Sequence, residues 1–229
     1  MEGKGKMKKI VVFDSGFGGE LFADQLEKEL PVAEIIRVID WRHASEFQSN
    51  SRKARKLAEE ALRPYLNRVD LIIFANYLLS MSSLKYFKRK YDKQDFIGLV
   101  PTIPDDGLKR DTLVLTTKAV TLTKKYYNYI FHLKRKAKTL TITLDDWPLK
   151  IDDGILNSLE ISDTLKPTLL KDDFKPKEVI LLCSQFNDIK SELRNVLGHN
   201  IKIYDSFNTT IREVCRLLKI RGGLKKLKV

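Results

Sequence analysis

The run Ile10-Val11-Val12-Phe13-Asp14-Ser15-Gly16-Phe17-Gly18-Gly19 passes from four apolar residues into a polar, glycine-rich turn, and a helical pattern follows over Gly19–Leu30. An apolar run of this length is what a strand covered on both faces by helices requires. Glycines let backbone N–H groups come close to an anion, and the start of a helix adds a partial positive charge. The turn is not a Walker loop, because no Gly-Lys-Ser/Thr closes it, and its glycine spacing does not match the dinucleotide fingerprint. Two readings stand: a site for a carboxylate or phosphate, or a tight turn in which Ser15 only caps the helix.

Working outward, short apolar runs alternate with longer stretches of helical period, which predicts βα units and a mostly parallel sheet. Strands are expected at Lys9–Asp14, Glu34–Asp40, Asp70–Asn76, Phe96–Val100, Thr112–Thr117, Thr139–Leu144, Glu178–Ser184 and Ile201–Asp205. Helices are expected near Gly19–Leu30, Arg52–Leu66, Ser83–Lys93, Val120–Lys136, Gly154–Leu165, Asp188–Leu197 and Thr209–Leu218. The segments 69–76 and 177–184 echo one another: a charge, a buried strand, then Ala75-Asn76 in one and Cys183-Ser184 in the other. Ligands of open α/β sheets bind at the carboxyl ends of strands, so two such ends facing each other would make a cleft. Pro101 and Pro104 interrupt the chain near its middle, and Lys166–Pro176 reads as a second loop-rich passage. The chain is therefore expected to form two lobes.

Composition narrows the classes. The 229 residues are 43% apolar, enough for a buried core, and no stretch reaches the ~18 uncharged apolar residues of a spanning helix. The start, MEGKGKMKK, lacks the apolar region of a secretory signal, and a cytoplasmic, membrane-free protein is expected. Cys183 and Cys215 are too few for a disulfide framework, and His43, His132 and His199 are too scattered for a zinc site. The net charge of +12 would suit nucleic acid, but the basic residues lie in short groups along the chain with acids between them. A solvated basic surface is the favoured reading, since no recognised nucleic-acid-binding signature accompanies the charge. Cys215 shares helical spacing with Ile211 and Leu218 and is assigned to the core. Cys183 ends a strand, where a thiol is usually a small core residue, but Ser184 and Asn187-Asp188 open a helix whose N–H groups could lower its pKa.

These landmarks fall in a familiar order. Phe13-Asp14-Ser15-Gly16 with Gly18-Gly19, Leu30-Pro31, Ile39-Asp40, Ala75-Asn76, Ile97-Gly98, Asp152-Asp153-Gly154, Cys183-Ser184, and Asp205-Ser206 with Thr210 resemble the glutamate racemase branch of the aspartate/glutamate racemase superfamily over nearly the whole chain. The resemblance implies an α/β fold of two pseudosymmetric lobes, each a mostly parallel sheet flanked by helices. Residues 1–100 with 207–229 would form the first lobe and 101–206 the second. It also implies a substrate amino acid between the lobes and no cofactor. In the family a cysteine from each lobe stands on either face of the substrate α-carbon, one removing its proton and the other returning one.

The chain departs from that pattern where the chemistry lies. The family's Cys-Asn-Thr is Ala75-Asn76-Tyr77, its Cys-Thr-His is Cys183-Ser184-Gln185, and its Pro-Tyr-Gly substrate loop is replaced by Ala44-Ser45-Glu46-Phe47. An alanine cannot exchange a proton. The expected site is a cleft lined by Asp14, Ser15, Ala75, Asn76, Cys183 and Ser184, with Cys183 as the catalytic group, binding an acidic amino acid or small carboxylate with two-base racemisation impaired or lost. Two other readings compete: a one-cysteine proton-transfer enzyme of decarboxylase or lyase type using Cys183, and a non-enzymatic binding protein with a basic surface for nucleic acid or an acidic partner. A homodimer is a further reading of its assembly.

Overall fold

The computed structural model describes residues 7–99 and 110–220. It forms two four-stranded parallel sheets flanked by helices. The first contains β1 (Lys8–Asp14), β2 (Ala33–Ile39), β3 (Leu71–Phe74) and β4 (Phe96–Gly98), in the order β2-β1-β3-β4. The second contains β5 (Thr112–Thr116), β6 (Thr139–Thr143), β7 (Glu178–Leu182) and β8 (Lys202–Tyr204), in the order β6-β5-β7-β8. The central strands β1, β3, β5 and β7 are buried almost throughout, which accounts for their unbroken apolar runs.

Each order reverses between β1 and β3, or between β5 and β7, and a ligand crevice opens at such a point in α/β sheets. The register sets Phe13 beside Phe74 and Thr116 beside Leu182. Asp14 therefore emerges next to Ala75-Asn76 in one lobe, and Cys183 emerges next to Thr117 in the other.

The helices are α1 (Phe17–Glu29), α2 (Ala44–Ser49), α3 (Ser51–Leu62), α4 (Tyr77–Ser82), α5 (Leu84–Lys90), α6 (Lys118–Thr121), α7 (Lys124–Lys134), α8 (Trp147–Asp152), α9 (Ser158–Lys171), α10 (Lys190–Leu197) and α11 (Phe207–Leu217). Several differ from the expected spans. The passage at Ala44–Phe47 is helical, within α2. A separate helix, α4, precedes the one expected from Ser83, because the Asn76 side chain accepts the Leu79 N–H at 3.1 Å and starts a helix there. The single helix expected over Val120–Lys136 is two, since the Thr123 hydroxyl accepts the Tyr126 N–H and begins α7 afresh. Asn157 likewise caps α9, which starts later than expected and continues through Pro167 to Lys171. The Lys166–Pro176 passage is thus half helix, held on both sides of the proline by buried Leu165 and Leu169. The Pro101–Pro104 interruption lies outside the described residues.

Three apolar clusters fill the molecule. One backs the first sheet, around Phe13, Phe74, Phe87 and Phe96, and one surrounds Trp147 and Phe186 in the second lobe. The third takes Ile10, Val12, Leu71 and Ile73 from the first sheet and Val114, Ile180 and Leu182 from the second. Helix α11 joins that shared cluster, with the Phe207 ring 5.0 Å from Phe22 of α1. Among the described residues no helix is long and apolar enough to cross a membrane.

Candidate active site

Asp14, at the end of β1, is completely buried and is the hub of the site. Its Oδ1 accepts the Ser15 N–H at 2.7 Å and an Asn76 amide hydrogen at 3.0 Å. Its Oδ2 is 2.8 Å from the hydroxyl of Ser184, which comes from the other lobe. Burial pushes the Asp14 carboxyl up to about 7, and the hydrogen bonds from Ser15, Asn76 and Ser184 only partly offset it. Asn76 does two things at once: its oxygen caps α4 while its amide nitrogen holds Asp14. The Ala75 methyl beside it is fully buried and offers nothing to titrate.

From the second lobe, the Cys183 thiol donates to Gln185 Oε1 at 3.1 Å, and the same oxygen lies 3.1 Å from the Ser184 hydroxyl. Asp14, Ser184, Gln185 and Cys183 thus form one hydrogen-bonded chain across the lobe boundary. Ser184 has a single proton to give. With Asp14 neutral, Asp14 can donate to Ser184 and Ser184 to Gln185; with Asp14 ionised, Ser184 must turn to Asp14. Burial pushes the Cys183 thiol far up, Asp14 and Asp152 push it further, and the N–H groups of Gln185 and Phe186 do not compensate. Of the two readings of Cys183, a small core residue or a thiol lowered by the helix start after Ser184, its burial and raised pKa favour the first. Iodoacetamide near neutral pH is expected to modify Cys183 in the folded protein at least ~100-fold more slowly than a free thiol. Rapid, selective labelling of Cys183 would mean that it is a thiolate after all.

Ser15 does not cap α1. The N-cap is Gly16, which has no side chain to offer, and the Phe17 N–H donates instead to Asp152 Oδ1 at 2.9 Å. A carboxylate from α8 of the second lobe thus occupies the helix N-terminus that the glycine turn presents. Burial raises the Asp152 carboxyl, and the bond from Phe17 works against that rise; its Oδ2 is buried without a hydrogen-bond partner among the described residues. The two lobes meet closely here. A Cβ built on Gly18 would stand 2.4 Å from Ser184 Cβ and 2.5 Å from the Gln185 nitrogen.

The structure brings Asp14, Ser15, Asn76 and Ser184 into direct contact, and Cys183 joins them through Gln185. Asp152 and Gln185 were not among the expected site residues; Asp152 sits in a run that carries the family resemblance, and Gln185 sits where the chain departs from it. Across the boundary, the Tyr77 hydroxyl donates to the Leu181 carbonyl of β7 at 3.0 Å and also bonds Ser206. Among the described residues no group of three or more His, Cys, Asp or Glu side chains could hold a metal.

No family model matches the chain. The glutamate racemase of Clostridium novyi is 26% identical over 216 residues, a span covering 92% of this chain and 83% of that protein. The chain is homologous to the glutamate racemases. The crystal structure of the Escherichia coli glutamate racemase with L-glutamate and an activator superposes on this homologue with a TM-score of 0.81, at 19% identity, covering 94% of this chain and 84% of that one. The glutamate racemase of Francisella tularensis in complex with D-glutamate gives 0.77, also at 19% identity, covering 96% and 84%. The fold of the racemase homologue is thus the two-lobed α/β fold of these enzymes.

Proposed function

We propose that this protein binds an acidic amino acid or a small carboxylate between its two lobes, without a cofactor, and that it has lost two-base racemisation. The observation that carries this reading is Ala75. Racemisation in either direction needs an acid on one face of the α-carbon and a base on the other, and a methyl group stands where the family has its first thiol. The ligand class is suggested by the complexes of the related enzymes with L-glutamate and D-glutamate. Two groups in the site suit such a ligand. The N-terminus of α1, now holding Asp152, can take a ligand carboxylate when the lobes part. Asp14, near neutrality when buried alone, is drawn back to a carboxylate by an incoming ammonium group.

A second reading has one observation in its favour. Cys183 is held as a neutral thiol hydrogen-bonded to Gln185, and a protonated thiol is an acid suited to delivering a proton to a carbanion on one face only. Incubation with D- and L-glutamate and D- and L-aspartate in heavy water, followed by NMR of the α-proton, separates the cases. Saturable binding without exchange is the expected result. Exchange with one enantiomer would establish the one-cysteine reading, exchange with both would restore racemisation, and neither binding nor exchange would remove the small-carboxylate reading.

A further inference from the structure

The excess of positive charge has a definite source. Residues 71–91 and 112–144 hold 11 of the 42 Lys and Arg residues and none of the 30 Asp and Glu residues, which leaves the rest of the chain with 31 bases against 30 acids. Almost the whole net charge of +12 therefore comes from two acid-free stretches. The fold sets them side by side: the Lys125 ammonium of α7 reaches the Ser80 carbonyl of α4 at 3.4 Å and feels the charges of Lys88 and Lys85 on α5. At the α5 edge the carboxylates of Glu59 and Glu213 are taken up by Lys90 and Arg216.

Helix α7 adds a second, independent feature. Its inner face is Tyr126, Ile130 and Leu133, all buried, and its outer face carries Lys124, Tyr127, Asn128, Phe131, Lys134 and Arg135 at helical spacing, all exposed. Tyr127 and Phe131, 69% and 55% exposed, are the two most exposed rings among the described Phe, Tyr and Trp residues. At i and i+4 they are neighbours on the helix surface, so one extended ligand can meet both. A single exposed ring needs no explanation, but two adjacent rings with bases before and after them make a stacking platform in a positive field. The stripe from Lys124 to Arg135 is about 16 Å long, enough for several nucleotides of one strand. Asn128 and the Tyr127 hydroxyl interrupt the continuous apolar face that a helix lying in a membrane surface presents. A duplex hides the faces of its bases, and only a single strand can lay them on the rings.

We propose that the outer face of α7 binds single-stranded nucleic acid, stacking bases on Tyr127 and Phe131 and holding phosphates with Lys124, Lys134, Arg135 and Lys136. The test is the affinity of the intact protein, at salt concentrations from about 50 to about 200 mM, for labelled 20-nucleotide single strands of DNA and RNA, the matching DNA duplex, a 20-residue polyglutamate peptide and phosphatidylserine vesicles. Saturable binding of a single strand, tighter than that of the duplex, the peptide or the vesicles, is expected. Tyr127→Ala/Phe131→Ala should weaken it at least ~10-fold while its salt dependence persists. Lys134→Gln/Arg135→Gln/Lys136→Gln should lower the slope of log affinity against log salt by about 2. Leu159→Ala/Leu170→Ala, which trims two exposed apolar side chains elsewhere, should change affinity less than ~2-fold, and Lys171→Gln/Lys175→Gln/Lys202→Gln, which removes the same charge elsewhere, should leave the slope within ~0.5 of the unmodified protein's. A preference for either kind of strand upholds the proposal, and one for RNA adds recognition of the 2′-hydroxyl. No saturable binding, a loss in the ring variant no greater than in the leucine variant, or an equal fall in slope in the two charge variants would overturn it. Tighter binding of the duplex, the peptide or the vesicles would also overturn it, in favour of a duplex, an acidic protein or a membrane as the partner.

Discussion

Replacing Asp14 with Asn is expected to stabilise the protein above neutral pH and to flatten its pH dependence. The buried carboxyl titrates at about 7 in the folded chain against an ordinary value of 3.8. Between those values the folded chain holds one proton more than the unfolded chain, so stability falls as pH rises through that window. The loss is at most about 4 kcal/mol, reached once pH exceeds the folded value. An asparagine keeps an oxygen for the Ser15 N–H and the Asn76 amide, and its own amide can donate to Ser184, so the bonding survives without the buried charge. Urea unfolding at pH 5 and pH 8 should show the wild-type protein losing stability at the higher pH and the variant losing little. Parallel behaviour of the two proteins would mean that Asp14 ionises freely and that the lobe boundary is wetter than its burial implies.

Gly18→Ala is expected to destabilise the protein by about 1–3 kcal/mol, at the upper end of that range. The atoms the new methyl would meet are Ser184 Cβ, the Ser184 carbonyl carbon and the Gln185 nitrogen, all within 2.5 Å. None is the end of a flexible side chain that could swing aside. Either the first turn of α1 or the turn at Gln185–Asn187 must move as a body, and the Ser184 hydroxyl then leaves Asp14. Urea unfolding of the variant should therefore show both a lower midpoint and an altered pH dependence. An unchanged midpoint would show that the start of α1 can shift at no cost.

The sheet was legible in the sequence because its central strands are buried on both faces, so Ile10–Phe13, Leu71–Phe74 and Val179–Leu182 read as continuous apolar runs. The six-residue helices at Ala44–Ser49, Tyr77–Ser82 and Trp147–Asp152 were not, since six residues show too little periodicity; of the three, Tyr77–Ser82 starts from the side-chain cap of Asn76. Pro167 misled in the opposite direction. It reads as a breaker, yet buried leucines on both sides keep α9 intact. Asp14, Ser15, Asn76, Cys183 and Ser184 could be picked out because Asp14 ends a strand and the others follow one. The positions of Asp152 and Gln185 against the first lobe could not, because the bond from Phe17 to Asp152 joins residues 135 apart and exists only once the lobes meet.

The apolar cluster that draws on both sheets bears on how the chain comes apart. Val12 and Ile73 belong to the same buried cluster as Val114 and Ile180, so exposing either lobe to water uncovers part of the other. Each half has an apolar cluster of its own, but the third is common property, so a single calorimetric transition is expected rather than two. A change at Asp14 or Gly18 is consequently felt along the whole chain, and the free energies of the two variants lie on a common scale.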